Sequence, residues 1–125
     1  MKIDTKPLAI GKDSIEVDAS WSQVDKADEV MIAMYSIDAD DDMVKSLQAE
    51  REAMKKSMAF LKDVFGLNAR QTDKIYKRVS SQTLNLYISY VCGLIKGGKA
   101  ESFADFEKEV KETQHPKEQP EKSDE

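Results

Sequence analysis

Few side chains in this sequence are of types that perform chemistry by themselves. The single histidine, His115, stands directly before Pro116 in a segment without aliphatic or aromatic residues. Nothing there would hold an imidazole in the fixed geometry that proton transfer needs. The single cysteine, Cys92, lies in "LNLYISYVCGLI", Leu84 to Ile95, the most apolar stretch of the chain. Apolar surroundings raise a thiol's pKa and leave it inert rather than nucleophilic. Asp38, Asp40 and Asp42 alternate as at the start of a calcium loop. The loop's turn glycine is replaced by Met43, however, and its closing glutamate by Ala49, so the site lacks both its bend and its bidentate ligand. These aspartates read as helix caps, meeting unpaired N–H groups and the helix dipole. Gly97-Gly98-Lys99 shares composition with a phosphate loop but not its spacing, and no dinucleotide fingerprint or metal-spaced Cys/His cluster is present. No spacing singles out a catalytic pair among the 24 acidic residues; they read as solvated helix faces. The expectation is a protein that is not an enzyme, with no catalytic residue, no metal site and no cofactor.

Bulk properties narrow the partners. A chain of 125 residues suits one domain and can bury roughly two thirds of its unfolded surface. Its net charge of -5 argues against nucleic acid, which calls for clustered Lys and Arg. Arg70, Lys74, Lys77 and Arg78 read as a solvated face. Tyr87 and Tyr90 are not interleaved with basic residues as base-stacking aromatics would be. One lone cysteine precludes an intramolecular disulfide and suits a reducing cytoplasm. The first thirteen residues, "MKIDTKPLAIGKD", hold no long apolar run, so no signal peptide is expected. Leu84–Ile95 is far shorter than the roughly twenty apolar residues of a membrane span, so no membrane is expected either.

The elements that would position any surface are mostly helical. Residues 1–19 read as a short β-hairpin or extended arm, with Leu8–Ile10 and Ile15–Val17 as strands around Gly11–Ser14. Ser20 opens the first helix, with Gln23 placed for a capping box, and Val24, Ala27, Val30, Met31 and Met34 form its apolar stripe. The second helix is expected from about Asp41 to Phe65. Val44, Leu47, Arg51, Met54, Met58, Leu61 and Phe65 make a heptad-like seam with one arginine in it. Arg51 either snorkels its stem along the core or marks a part of the seam that faces another chain or a groove. The methionines read chiefly as core filling, although Met also suits surfaces that accept varied partners. Gly66 closes this helix, and Asn68 with Gln71 opens a third that is expected to run from about Ala69 to Lys96. Ser102 caps a short fourth helix carrying Phe103, Phe106 and Val110. From residue 113 onward two prolines and an absence of apolar residues predict disorder. The expected fold is therefore mainly α. It is a small bundle of about four helices (20–112) with an N-terminal hairpin or arm (1–19) and a disordered acidic tail (113–125).

The stretch "FLKDVFGLNARQTDKIYKRVSSQTLNLYISYVCGLIKGGKAESFADFEKE", Phe60 to Glu109, resembles the helical core of tail assembly chaperones of long-tailed, siphovirus-type phages and prophages of Gram-positive bacteria. Phe60-Leu61 and Val64-Phe65-Gly66 close one helix. A long helix ending in "YVCGLIKG" follows, then "ESFADFEKE". The resemblance implies a non-catalytic protein of the host cytoplasm, absent from the mature virion. It would bind and solubilise the hydrophobic, helical tape measure protein during tail morphogenesis. It also implies self-association into a homo-oligomer and a frameshifted, longer form of the same protein.

Because Leu84–Ile95 is apolar around much of its circumference, sister subunits or a client helix are expected to cover part of it. Met54, Tyr87, Ile88, Tyr90 and Val91 are the expected partner and self-association surface. The alternative from another class is a small acidic phage regulator that sequesters a host protein or mimics DNA. It would show carboxylates aligned on one exposed face.

Overall fold

The computed structural model describes residues 1–37 and 42–123, with side chains described as far as Thr113. Two strands, β1 (Lys2–Asp4) and β2 (Ser14–Glu16), pair antiparallel with Ile3 opposite Ile15. Five helices follow: α1 (Trp21–Tyr35), α2 (Met43–Phe65), α3 (Ala69–Arg78), α4 (Ser81–Ile95) and α5 (Phe103–Ser123). The helix α1 packs on both α2 and α4, while α3 lies against α2 and α5 against α4. The fold is mainly α with a short N-terminal hairpin, as expected. The expected disordered tail falls on residues 113–125, and the side chains beyond Thr113 lie outside those described.

The hairpin's first strand is Lys2–Asp4 and not the Leu8–Ile10 segment. Pro7 has no N–H to give a ladder and its ring fixes φ, so Lys6–Leu8 forms a single 3-10 turn instead. Ala9 closes that turn in the left-handed region at φ 54°. The turn drops Leu8 into the core. Thr5, fully buried, bridges the loop: its N–H donates to the Asp13 carbonyl at 2.9 Å and its hydroxyl to the Lys12 carbonyl at 2.8 Å.

The helix ends follow local chemistry. Ser20 Oγ accepts the Gln23 N–H, so half of the expected capping box forms. Asp42 Oδ1 accepts the Val44 N–H at 2.9 Å. Gly66 sits at φ 63°, and Leu67 is buried behind it while its N–H reaches back to the Lys62 carbonyl, a Schellman-type stop. Asn68 and Gln71 exchange both bonds of a capping box, at 2.8 and 3.0 Å.

The expected third helix is two helices, which makes five in place of about four. Val79 is extended at ψ 132°, and Ser80 caps α4 by accepting the Thr83 N–H. A β-branched residue followed by two serines gives the backbone an alternative to the helix, because serine hydroxyls compete for its hydrogen bonds. The break frees polar α3, whose one buried residue is Ile75, from the direction of apolar α4.

Strand β1, α1 and α5 enclose α4. Tyr87 donates its hydroxyl to the Asp4 carbonyl at 2.6 Å, and Tyr90 to the Glu101 carbonyl at 2.6 Å. Asp4 Oδ2 in turn accepts the Phe103 N–H at the start of α5. Around these bonds Phe65, Tyr87, Tyr90, Phe103 and Phe106 form one aromatic cluster with ring centroids 5.4–6.4 Å apart. Tilted and edge-on pairs such as these suit the ring quadrupoles.

This enclosure sets a pH dependence. Burial pushes the Cys92 thiol up to about 12, and burial also raises the hydroxyls of Tyr87 and Tyr90 above their ordinary value. Between the ordinary thiol value of 9.0 and about 12, the unfolded chain releases a proton that the folded chain keeps. The folded state then binds more protons, so stability falls as pH rises, by up to about 1.4 kcal/mol per pH unit from this group. The tyrosines add loss in the same direction above 10.0. Urea midpoints measured from neutral pH upward will decline through this window, and Cys92→Ala will flatten the part below the tyrosine range.

Candidate interaction surface

The residues that could do chemistry do not converge. Cys92 is buried, with its Sγ 3.7 Å from the Ala27 carbonyl. Asp42 caps α2, Asp38 and Asp40 lie outside the described residues, and so does the side chain of His115. Among the described residues no group of three His, Cys, Asp or Glu could hold a metal ion. Among them also, no helix is long and apolar enough to cross a membrane. What the fold does present is apolar surface.

Of the five residues expected to form a partner surface, only Met54 reaches solvent. Tyr87, Ile88 and Val91 are fully buried and Tyr90 is 2% exposed. The hairpin arm and the two phenylalanines of α5 occupy the sides of α4 that were expected to be open. The chain itself thus covers most of Leu84–Ile95; Leu84 and Asn85 line a cleft, and Leu86 is half-buried.

The open surface lies on α2. Its seam divides in the middle: Met58, Leu61 and Phe65 are buried, while Leu47 is 54% and Val44 61% exposed. Lengths explain the division. At 1.5 Å per residue, the 23 residues of α2 span about 35 Å and the 10 residues of α3 about 15 Å. A tight turn at Gly66–Asn68 folds α3 back along α2, and the break at Val79 ends it there. Lys55, Met58 and Lys62 of α2 face Thr72 and Tyr76 of α3. Beyond them, toward Met43, α2 runs on without that cover. Met43, Leu47 and Met54 therefore continue the core-facing side of α2 into solvent.

A cleft of about 520 Å³ opens at the boundary. Met34 and Ile37 wall it on the α1 side, Glu50 and Met54 line it from α2, and Tyr76 and Val79 close the far side. Tyr76 is exposed as well. Glu50 and Arg51 stand side by side in the middle of the open stretch, both exposed, and neither has an ion-pair partner among the described residues. Arg51 was the sequence's visible sign of this surface. An arginine in the seam allowed either a snorkelling stem or an open face, and α2 is open there.

A second groove, about 550 Å³, runs along the other side of α1 and α2, bordered by Asp25, Asp28, Glu29 and Glu52. Two of its carboxylates are engaged: Glu29 pairs with Lys56 and Asp28 with Lys96. Both pairs are half-exposed, where ion pairs contribute little to stability, but they cut the groove's negative charge.

The family model described as phage tail assembly chaperone proteins, TAC, matches residues 1–114. That span takes in the hairpin arm, the open side of α2 and the docking of α5 onto α4. No curated protein and no solved structure matches the chain.

Proposed function

The chain belongs to the family of phage tail assembly chaperones, and from that premise we propose that it binds and solubilises the hydrophobic, helical tape measure protein during tail morphogenesis. The observation that carries this reading is the uncovered half of α2. Met43, Leu47 and Met54 follow helical spacing on one face and lead into the cleft beside Tyr76. Such a strip suits the apolar edge of a client helix laid along it, the helix-in-groove mode with anchors every three or four residues. The flexible, polarizable thioethers of Met34, Met43 and Met54 adapt to a client whose side chains vary along its length. In this reading the protein acts in the host bacterial cytoplasm, self-associates, is left out of the finished virion, and keeps its complexes soluble through net charge and the acidic tail. A frameshifted, longer form of the same chain belongs to the proposal too, as does a siphovirus-type phage of a Gram-positive host.

Co-expression with a tape measure protein of a long-tailed phage tests the reading. The client, insoluble alone, is expected to stay in solution with the chaperone and to co-purify as a complex seen by light scattering. Apolar burial resists salt, so the complex should survive one molar sodium chloride, where the Debye length has shrunk to about 3 Å. The acidic-regulator alternative has its best support in the groove edged by Asp25, Asp28, Glu29 and Glu52. It requires a complex that dissociates over that same salt range. An insoluble client in the presence of excess chaperone would remove the chaperone reading.

A further inference from the structure

We infer that, when no client is bound, a second copy of this chain covers the open side of α2, so that self-pairing and client binding exclude one another. The inference rests on the reading of that side as the client site. Charge decides the occupant. Glu50 and Arg51 are neighbours of opposite sign at the middle of the strip, both exposed and without ion partners among the described residues. A partner of one charge sign would satisfy one of them and repel the other. A second α2 laid antiparallel, with the two-fold axis passing between these residues, sets each copy's Glu50 beside the other's Arg51. A two-fold interface is self-complementary in this way: each contact occurs twice.

The same register matches the apolar residues. It lays Leu47 of one copy against Met54 of the other. It also carries each Met43 past the other's Met54 toward the cleft beside Tyr76. The exposed positions it pairs directly, Leu47 to Met54, span about two helical turns, or roughly 10.5 Å. The apolar strip that would receive the client is then the strip that is hidden. Each copy protects the other's exposed Leu47 and Met54 from indiscriminate association, and the client must displace it.

Five forms of the full chain test this: the wild type, two single charge exchanges, their combination and a double cysteine variant. The wild type, run by size exclusion with light scattering in the high micromolar range, should show twice the 14.1 kDa chain mass and dissociate on dilution. Glu50→Arg and Arg51→Glu, made singly, should each yield monomer, and the double exchange should restore the dimer because the pairing is only reversed in sign. The double variant Leu47→Cys/Met54→Cys should oxidise to a covalent dimer. Within one chain these two positions are two turns apart, about 10.5 Å, beyond the reach of a disulfide. Reduced, this variant should bind a purified helical segment of the tape measure protein; oxidised, it should lose that binding. A wild type that stays monomeric throughout, a double exchange that fails to dimerise, or an oxidised dimer that binds the segment as the reduced form does would each overturn the inference. If even the wild type leaves the segment unbound, the client reading fails, while the masses of the charge variants still decide self-pairing.

Discussion

Replacing Tyr87 with alanine will lower the free energy of unfolding by about 3–5 kcal/mol, the range for removing a buried aromatic side chain. The ring is fully buried and sits within 6.4 Å, centroid to centroid, of Phe65, Tyr90 and Phe103. Its removal opens a cavity at the one place where α2, α4, α5 and the hairpin arm meet. It also strips the Asp4 carbonyl of the hydroxyl that donates to it at 2.6 Å. Tyr87→Phe separates the two contributions. It keeps the ring and loses the hydrogen bond, so it should cost about 1–2 kcal/mol. Domains of this size are stable by about 5–15 kcal/mol, so the alanine variant will lose between about a fifth and all of its stability. Urea unfolding followed by circular dichroism gives both values. A loss under about 1 kcal/mol for Tyr87→Ala, smaller than typical core truncations, would mean that the arm and α5 do not enclose α4 in solution.

The enclosure of α4 also marks where the sequence was legible and where it was not. Helix ends were readable because they are decided within four residues. Ser20, Asn68 and Ser102 carry their caps beside them, and Gly66 carries its own stop. The break at Val79–Ser80 was written in the same local code, as a serine followed three residues later by a threonine, but the long apolar run beyond it reads as a continuation. The covering of Leu84–Ile95 was out of reach for a different reason. It depends on Asp4 and Glu101, whose backbone carbonyls accept from Tyr87 and Tyr90 across 83 and 11 residues of sequence. No periodicity records a side chain bonded to a distant main chain. The seam on α2 was seen with the right residues and the wrong extent. A heptad pattern states which side of a helix is apolar; the length of the neighbouring helix decides how much of that side is covered. Only Arg51 signalled the boundary.

That boundary makes the second large effect separable from stability. The double substitution Leu47→Gln/Met54→Gln should weaken client binding by about 1.5–2.5 kcal/mol, roughly ten- to a hundredfold, because Leu47 is 54% and Met54 37% exposed and full burial of such a side chain contributes about 1.5–3 kcal/mol. Glutamine is nearly as good a helix former as leucine or methionine. Leu47 is the more exposed of the two and Met54 lines the open cleft, so the loss of unfolding free energy should stay near about 1 kcal/mol, well short of a core truncation. Binding must be measured at chaperone concentrations dilute enough for the wild type to be monomeric. The same two residues hold the proposed self-pairing, and relief from that competition would otherwise offset part of the loss. Val91→Gln supplies the contrast: it lies in the enclosed face of α4 and should damage stability first, losing client binding only as the fold is lost. If instead Leu47→Gln/Met54→Gln holds the client in solution as well as the wild type does, the open half of α2 is not the client surface, and the binding face must be sought on the acidic side of α1.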